Sequence, residues 1–185
     1  MNKTVNLKGI EIFKNDEIEL APLTLITGIN NSGKTTILNT IQKQFNDTQY
    51  YKWSGLSIFS KNFANKKHEI LLLNQPEAGL HPKLQLEMAD IILNHVKIVE
   101  NVVVETHSDH MINRLVRRMM EDKSLMKLIK IYFVDQDEDG VSNIQDIVVD
   151  PVNGAICDNP NFFYQFALET EKIINAAYEN QKMIS

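Results

Sequence analysis

The chain has 185 residues, of which 43% are hydrophobic and 23% are charged, a composition that supports one compact core and excludes long disorder. A net charge of -5 excludes a global basic surface, so any nucleic-acid contact is expected to be local or indirect. The single cysteine, Cys157, excludes an internal disulfide, and no apolar run approaches the roughly 20 residues of a membrane helix. We therefore expect a cytoplasmic protein with one domain over residues 1–185 and no membrane partner.

Short strands alternate with helices along the chain. Segments 7–13 and 17–20, joined at 14–16, predict an antiparallel hairpin. Buried strands are predicted at 23–27, 69–73, 102–105 and 129–134, followed by a final strand at 144–149. Helices are predicted at about 34–45, 82–96, 109–121 and 162–179, and residues 46–66 have no clear periodicity. This order predicts an α/β fold, a three-layer sandwich with a mostly parallel central sheet and an N-terminal antiparallel hairpin.

A glycine-bounded loop after the first buried strand carries the strongest functional signal. Residues 28–35 fit the pattern G-x-x-x-x-G-K-[ST], whose backbone N–H groups and following helix bind phosphates. In this pattern Lys34 places a positive charge at the β- and γ-phosphates, and the Thr35 hydroxyl ligates Mg²⁺. The alternative is a glycine loop that only caps a helix. The predicted nucleotide-binding residues are Gly28, Ile29, Asn30, Asn31, Ser32, Gly33, Lys34, Thr35 and Thr36.

Polar side chains also follow two later strands, at the edge where open α/β sheets bind ligands. Asn74 ends one strand and offers Mg²⁺ a carbonyl oxygen but no negative charge, although Mg²⁺ prefers carboxylates. Glu105 ends the next strand, and we expect it to approach the metal that Asn74 leaves short of an acid. Gln75 accepts no proton from water, but a glutamine orients water in some phosphoryl-transfer enzymes.

Two groups of charged residues keep alternative interpretations. Glu77 either supplies the missing carboxylate, if Pro76 turns it inward, or lies in the first turn of the next helix as a partner of the helix dipole. Arg114, Arg117 and Arg118 form a basic edge on one helix. This edge either meets phosphates or an acidic partner, or it is a solvated helix face.

These segments together resemble the ABC/SMC-type P-loop ATPases, in particular bacterial AAA-family proteins related to the OLD nucleases and to RecF-like ATPases. Residues 20–36 resemble the Walker A segment of that group, 71–85 its Walker B strand, and 102–115 its switch-histidine segment. The tail from Ile131 is similar to a short C-terminal domain of unknown function found in one subgroup. Members usually carry a long insertion between Walker A and Walker B, whereas about 38 residues separate Thr35 from Asn74 here, as in a minimal or truncated head.

The resemblance implies a head domain with a nucleotide-binding core at 1–127 and a C-terminal strand-strand-helix segment at 128–185. It implies ATP and Mg²⁺ as cofactors and makes His107 the sensor of the γ-phosphate, where the residue alone would be an ordinary histidine at a strand end. The predicted catalytic residues are Lys34, Gln75, Glu77 and His107, and the predicted metal ligands are Thr35, Asn74 and Glu105.

The resemblance also implies an assembly and a role. Heads of this kind form head-to-tail dimers, here a homodimer or a heteromer with an effector protein, in which a signature serine reaches the nucleotide of the other subunit. The candidate signature is Trp53–Ser57, for which a plain surface turn is the alternative. We expect slow ATP hydrolysis in a DNA transaction or in anti-phage defence. The alternatives are a pseudo-ATPase that binds ATP without hydrolysing it, and a trimmed fragment that binds no nucleotide.

Overall fold

A computed structural model describes residues 3–15, 17–52 and 69–156, together with residue 173. The helices are α1 (Lys34–Gln44), α2 (Pro82–His95) and α3 (Asp109–Glu121), followed by a 3-10 helix at Lys123–Lys127. The strands are β1 (Lys3–Asn6), β2 (Glu17–Leu20), β3 (Leu23–Gly28), β4 (Thr48–Lys52), β5 (Ile70–Asn74), β6 (Asn101–Glu105), β7 (Ile129–Gln136) and β8 (Ser142–Asp146). The predicted helix at 162–179 and the candidate signature at 53–57 lie outside the described residues. Within the described ranges, no helix is long and apolar enough to span a membrane.

The centre of the molecule is a six-stranded sheet with the order β4-β5-β6-β3-β7-β8. All neighbouring pairs from β4 to β7 are parallel, and β8 alone runs antiparallel, against β7. The predicted mostly parallel α/β fold is therefore confirmed. Strand β4 lies in the stretch that had no clear periodicity, and β8 begins and ends earlier than the predicted final strand.

Helices cover both faces of this sheet. Helices α2 and α3 pack on one face, and α1 and the hairpin pack on the other. Because successive strand residues point to opposite faces, each parallel strand feeds two cores, which explains its continuous apolar sequence. One core joins α2 and α3 to the sheet and includes Leu25, Met88, Val104, Ile112 and Leu115. The other joins α1 and the hairpin to the opposite face and includes Val5, Ile18, Ile26, Ile37, Leu38 and Val103.

The N-terminal hairpin is confirmed, but its first strand is not the predicted one. Strand β1 pairs antiparallel with β2, with Lys3 opposite Leu20. The predicted strand at 7–13 consists of turns instead, in which the Ile10 and Phe13 N–H groups donate to the carbonyls of Leu7 and Ile10, each at 3.0 Å. Gly9 has a φ of 87°, in the left-handed region that interrupts an extended chain.

The basic edge of α3 is an ion-pair cluster that joins two helices. Asp90 on α2 accepts hydrogen bonds from Arg114 at 2.7 Å and from Arg118 at 2.8 Å. Arg117 and Arg118 also pair with Glu121 one turn along α3. The hydrogen bonds from Arg118, and then those from Arg114, lower the pKa of Asp90 to about 2. The three arginines, which were predicted to face solvent, phosphates or an acidic partner, therefore pair with carboxylates of α2 and α3.

We predict that Asp90→Asn lowers the free energy of unfolding by about 1 kcal/mol at pH 7, the order expected for a partly exposed charged pair. The pKa of Asp90 is lower in the folded than in the unfolded chain, so the pair stabilises the fold above the ordinary pKa. This stability is lost as the pH falls from 3.8 towards about 2. Urea unfolding at several pH values should show the two proteins converging over that window. Arg117→Ala, at an exposed pair, serves as the control with little effect, and an equal loss in both variants would contradict the prediction.

Candidate nucleotide and metal site

The loop between β3 and α1 has the backbone that the glycine pattern predicts. Gly28, Asn31 and Gly33 all have positive φ, at 137°, 64° and 88°. A side chain at Gly28 would overlap the Val134 backbone, and one at Gly33 would lie 2.9 Å from the side chain of Ile12. No side chain caps the N-terminus of α1. Its first N–H groups and the positive end of the helix dipole therefore remain available to an anion.

Lys34 is folded back into this loop. Its side chain is buried, and Nζ donates to the carbonyl oxygen of Gly28 at 3.1 Å and to that of Ile29. Burial lowers the pKa of the Lys34 ammonium. The Ser32 hydroxyl also donates to the Ile29 carbonyl, at 2.9 Å. The loop therefore holds a buried positive charge with neutral carbonyl groups, which phosphate oxygens are chemically able to replace.

The three predicted metal ligands meet next to this loop. Glu105, at the end of β6, is 2% exposed and accepts a hydrogen bond from the Thr35 hydroxyl, which lies 3.0 Å from both carboxylate oxygens. Asn74, at the end of β5, donates from Nδ2 to Glu105 Oε2 at 3.0 Å. The same amide nitrogen lies 3.0 Å from the hydroxyl of Tyr50 on β4. A polar chain thus runs along the carboxyl edge of the sheet from β4 to the start of α1.

The chemistry of this group fits a hard cation. Burial raises the pKa of Glu105, while the Thr35 hydrogen bond and the nearby Lys34 charge oppose that rise. Carboxylate, hydroxyl and amide oxygens are the ligand types that Mg²⁺ takes, usually together with waters and phosphate oxygens. In the described part of the chain, no group of three or more histidine, cysteine or acidic residues forms a metal cluster. A metal at Glu105 would therefore depend on phosphate oxygens for much of its coordination.

A polar cavity of about 490 Å³ opens over the loop and includes most of the predicted site. Gln75 and His107 lie on its wall, and the Gln75 backbone is held at a φ of 49° with its N–H donating to the Glu105 carbonyl at 2.8 Å. Burial, and then the Lys34 charge, lower the pKa of His107, which favours the neutral imidazole. Gly28, Ile29 and Ser32 do not line the cavity. Its lining residues are Asn30, Asn31, Gly33, Lys34, Thr35, Thr36, Gln75, Glu105 and His107.

Glu77 is buried next to this cavity and is not the partner of the helix dipole that one sequence interpretation made it. Helix α2 begins at Pro82, so Glu77 is not in its first turn, and the side chain does not line the cavity over the loop. The buried Oε1 instead accepts hydrogen bonds from the Thr106 hydroxyl and the His107 N–H, both at 2.8 Å. The other oxygen, Oε2, is buried without a partner, beside a second cavity of about 280 Å³ that shares Gln75 and His107 with the first. Glu77 therefore fixes the backbone of His107 by accepting a hydrogen bond from its N–H.

Sequence reasoning missed three neighbours of the site. Tyr50 lies in the stretch that had no clear periodicity, although its position in the short strand TQYYK was a usable signal. Ile12 and Phe13 lie against Gly33, where the predicted alternation had placed a strand.

Comparison with known proteins identifies the family and the fold. The AAA domain family matches residues 4–181. The SMC head domain from Thermotoga maritima superposes with a TM-score of 0.54 at 12% identity, covering 80% of this chain and 99% of that one. No curated protein sequence matches.

Two further structures match with lower scores. An SMC head bound to the C-winged helix domain of ScpA has a TM-score of 0.35 at 18% identity, covering 66% of this chain and 28% of that one. The complex of archaeal ribosomal stalk protein aP1 and archaeal ribosome recycling factor aABCE1 has a TM-score of 0.49 at 13% identity, covering 86% and 44%. The likeness to the Thermotoga head shows that the chain has the P-loop NTPase fold of an SMC head.

We predict that Gly28→Ala lowers the free energy of unfolding by more than about 3 kcal/mol, because the new methyl group meets main-chain atoms that cannot move aside. The nearest of these include the Val134 nitrogen at 2.7 Å. Gly79→Ala is the matched control, since Gly79 has a φ of 75° but no atom within 4 Å of an added Cβ. That variant should lose about 1 kcal/mol from backbone strain alone. Equal losses in thermal unfolding would contradict the packing role of Gly28.

Proposed function

We infer that this chain, which belongs to the AAA domain family and is an ATP-binding P-loop ATPase, binds ATP with Mg²⁺, hydrolyses it slowly and dimerises around it. One observation carries the proposal. The Thr35 hydroxyl and the Glu105 carboxylate lie in contact on the wall of the loop cavity, where a nucleotide-bound metal needs a hydroxyl and an acid.

Residues 28–36 are proposed to hold the triphosphate. The positive φ angles in the loop and the uncapped start of α1 direct N–H groups into one region. Lys34 supplies the positive charge, and exchanging its loop carbonyls for phosphate oxygens strengthens its hydrogen bonds because both partners are then charged. These stronger hydrogen bonds form only when phosphate is bound, so they favour the nucleotide-bound loop over the empty one.

Thr35, Asn74 and Glu105 are proposed to form the protein side of the Mg²⁺ site. Bound Mg²⁺ neutralises charge on the β- and γ-phosphates and so favours phosphoryl transfer. Thr35 and Glu105 supply oxygen ligands, directly or through water, and Asn74 adds an amide beside them.

Gln75 and His107 are proposed to place the attacking water and to sense the γ-phosphate. Both line the loop cavity, and neither is a strong base in this setting, because Gln75 is neutral and burial lowers the pKa of His107. Positioning is sufficient for slow turnover, since phosphoryl transfer depends mainly on orientation and charge. Glu77 acts through His107 as a positioning residue.

Residues 1–185 are proposed to act as one head that pairs head to tail with a second copy or with an effector protein. The support is the SMC-head fold, together with the open polar cavity, which leaves one side of the bound phosphates available to a second subunit. ATP shifts such an assembly only if it contacts the closed pair better than the separated heads. A cytoplasmic role in a DNA transaction or in anti-phage defence, as in OLD-like and RecF-like proteins, is the corresponding biological proposal.

A pseudo-ATPase is the second candidate, and a specific observation favours it. Asn74 and Gln75 place two neutral amides at the end of β5, where the resemblance leads us to expect acidic side chains. Such a subunit would bind ATP and transmit its presence to a partner without turnover.

The test is Mg-ATP turnover by the purified chain, with Lys34→Ala as the blank for contaminating activity. We expect wild-type turnover above this blank and loss of ATP binding in the variant, since no other buried positive charge among the described residues lines the cavity. Binding without turnover would favour the pseudo-ATPase. Absence of both would contradict the proposal.

We predict that Glu77→Gln retains wild-type turnover within about threefold, because the glutamine carbonyl still accepts both hydrogen bonds that hold His107. Glu77→Ala leaves the Thr106 hydroxyl and His107 N–H without an acceptor and should lower the free energy of unfolding by about 1–3 kcal/mol. Its turnover should fall about tenfold or more as His107 loses its position. Paired stability and turnover measurements check this. Loss of turnover in Glu77→Gln with intact ATP binding would show instead that the charge of Glu77 takes part in the reaction.

A further inference from the structure

We propose that the metal site takes its acid from β6 instead of β5. Glu105 on β6 supplies the single carboxylate, and Asn74 on β5 holds that carboxylate in place. This inference rests on the proposed function of the loop as a nucleotide site. It makes Asn74 and Glu105 an interdependent pair, in which the amide is a positioning residue for the carboxylate rather than the remnant of a lost site.

The strand register places the two residues side by side. Asn74 and Glu105 are direct partners in the parallel β5-β6 pair, each the last residue of its strand. An acid on either strand therefore reaches the same point at the carboxyl edge of the sheet. Thr35, whose hydroxyl lies 3.0 Å from both Glu105 oxygens, fixes that point at the start of α1.

The hydrogen bonds of Asn74 set its role. Its side-chain nitrogen has two protons to donate and has two acceptors within reach, the Tyr50 hydroxyl and Glu105 Oε2, each at 3.0 Å. These contacts orient the amide, and the hydrogen bond to Glu105 fixes the position of one carboxylate oxygen from the β5 side. The geometry thus uses the amide as a donor, which an aspartate at position 74 could not provide when ionised.

The pair has room for one negative charge only. An aspartate at position 74 would bring a second carboxylate to about the 3.0 Å that now separates Asn74 Nδ2 from Glu105 Oε2. Two buried carboxylates at that distance do not both ionise without a cation between them. Asparagine at 74 is therefore the residue that fits a glutamate at 105.

A bound cation would offset the cost of burying the Glu105 carboxylate. It is 2% exposed, its described hydrogen-bond donors are neutral, and the nearby Lys34 ammonium donates to the loop carbonyls instead. A buried carboxylate without an ion pair is costly, and a metal bound with the phosphates compensates for that cost. The rival interpretation is a purely structural Glu105, whose only task is to tie Thr35 to Asn74.

The test measures affinity for a fluorescent ATP analogue in EDTA and over a series of free Mg²⁺ concentrations. It compares wild type, Glu105→Gln, Asn74→Asp and the exchanged double variant Asn74→Asp/Glu105→Gln, with thermal unfolding to confirm that each is folded. Glu19→Gln is the matched control, because it removes an exposed carboxylate on β2 that is paired with Lys130 and does not line the loop cavity. We expect Mg²⁺ to tighten wild-type and control binding by about tenfold or more.

Glu105→Gln should bind the analogue in EDTA at least as tightly as wild type, because it removes a negative charge beside the phosphates, and should lose most of the gain from Mg²⁺. Asn74→Asp should melt at a lower temperature than wild type without Mg²⁺, because it places two carboxylates together. The exchanged double variant should recover the Mg²⁺ gain to within about threefold of wild type, since it restores one acid and one amide.

Two results would overturn the inference. One is a full Mg²⁺ gain in folded Glu105→Gln, which would make Glu105 structural; the other is a folded double variant with no recovery. If the double variant does not fold, the comparison of Glu105→Gln with Glu19→Gln decides alone. A wild type that binds no analogue either in EDTA or at the highest Mg²⁺ concentration would overturn the proposed nucleotide site itself, which separates that failure from a misplaced acid.

Discussion

The contact of the Glu105 carboxylate with the Thr35 hydroxyl and the Asn74 amide is the interaction on which the site depends. It joins the end of β6, the end of β5 and the start of α1 at one buried point, with each donor 3.0 Å from a carboxylate oxygen. Ionisation of a buried acid is costly unless its charge is compensated, and the loop and the uncapped start of α1 favour an anion. The proposed metal nucleotide would supply a cation to the first and an anion to the second.

The parallel sheet makes this meeting possible. Strands β3, β5 and β6 are parallel and end at the same edge of the sheet. The phosphate-binding loop, Asn74 and Glu105 follow or end these strands, so they lie together at that edge. The layers on both faces keep the strand ends in register, and the pair of arginines on Asp90 ties the two helices of one layer together. Behind the edge, Glu77 holds the backbone of His107 against the same cavity. Strand ends and the start of a helix therefore carry Thr35, Asn74 and Glu105, and Gln75 and His107 lie within two residues of the ends of β5 and β6.

The sequence predicted most of this edge because the signals are local. A short apolar strand, a glycine loop and a lysine at the start of a helix form one continuous pattern, and the strand ends at Asn74 and Glu105 follow from buried runs of hydrophobic residues. What it could not predict depends on tertiary contacts. The alternation at 7–13 resembles a strand, but the segment folds into turns against Gly33, and the role of Glu77 depends on a loop that is distant in sequence. Tyr50 and Asp90, the partner of Arg114 and Arg118, likewise lie on neighbouring elements.

The most direct measurement is a crystal structure of the chain with Mg²⁺ and a non-hydrolysable ATP analogue. We predict that the triphosphate lies in the loop after β3. The metal should bind the Thr35 hydroxyl and contact the Glu105 carboxylate directly or through one water. Lys34 should then have left the Gly28 carbonyl for the phosphates. A metal whose coordination shell excludes Glu105, or a nucleotide bound away from the loop, would contradict this prediction.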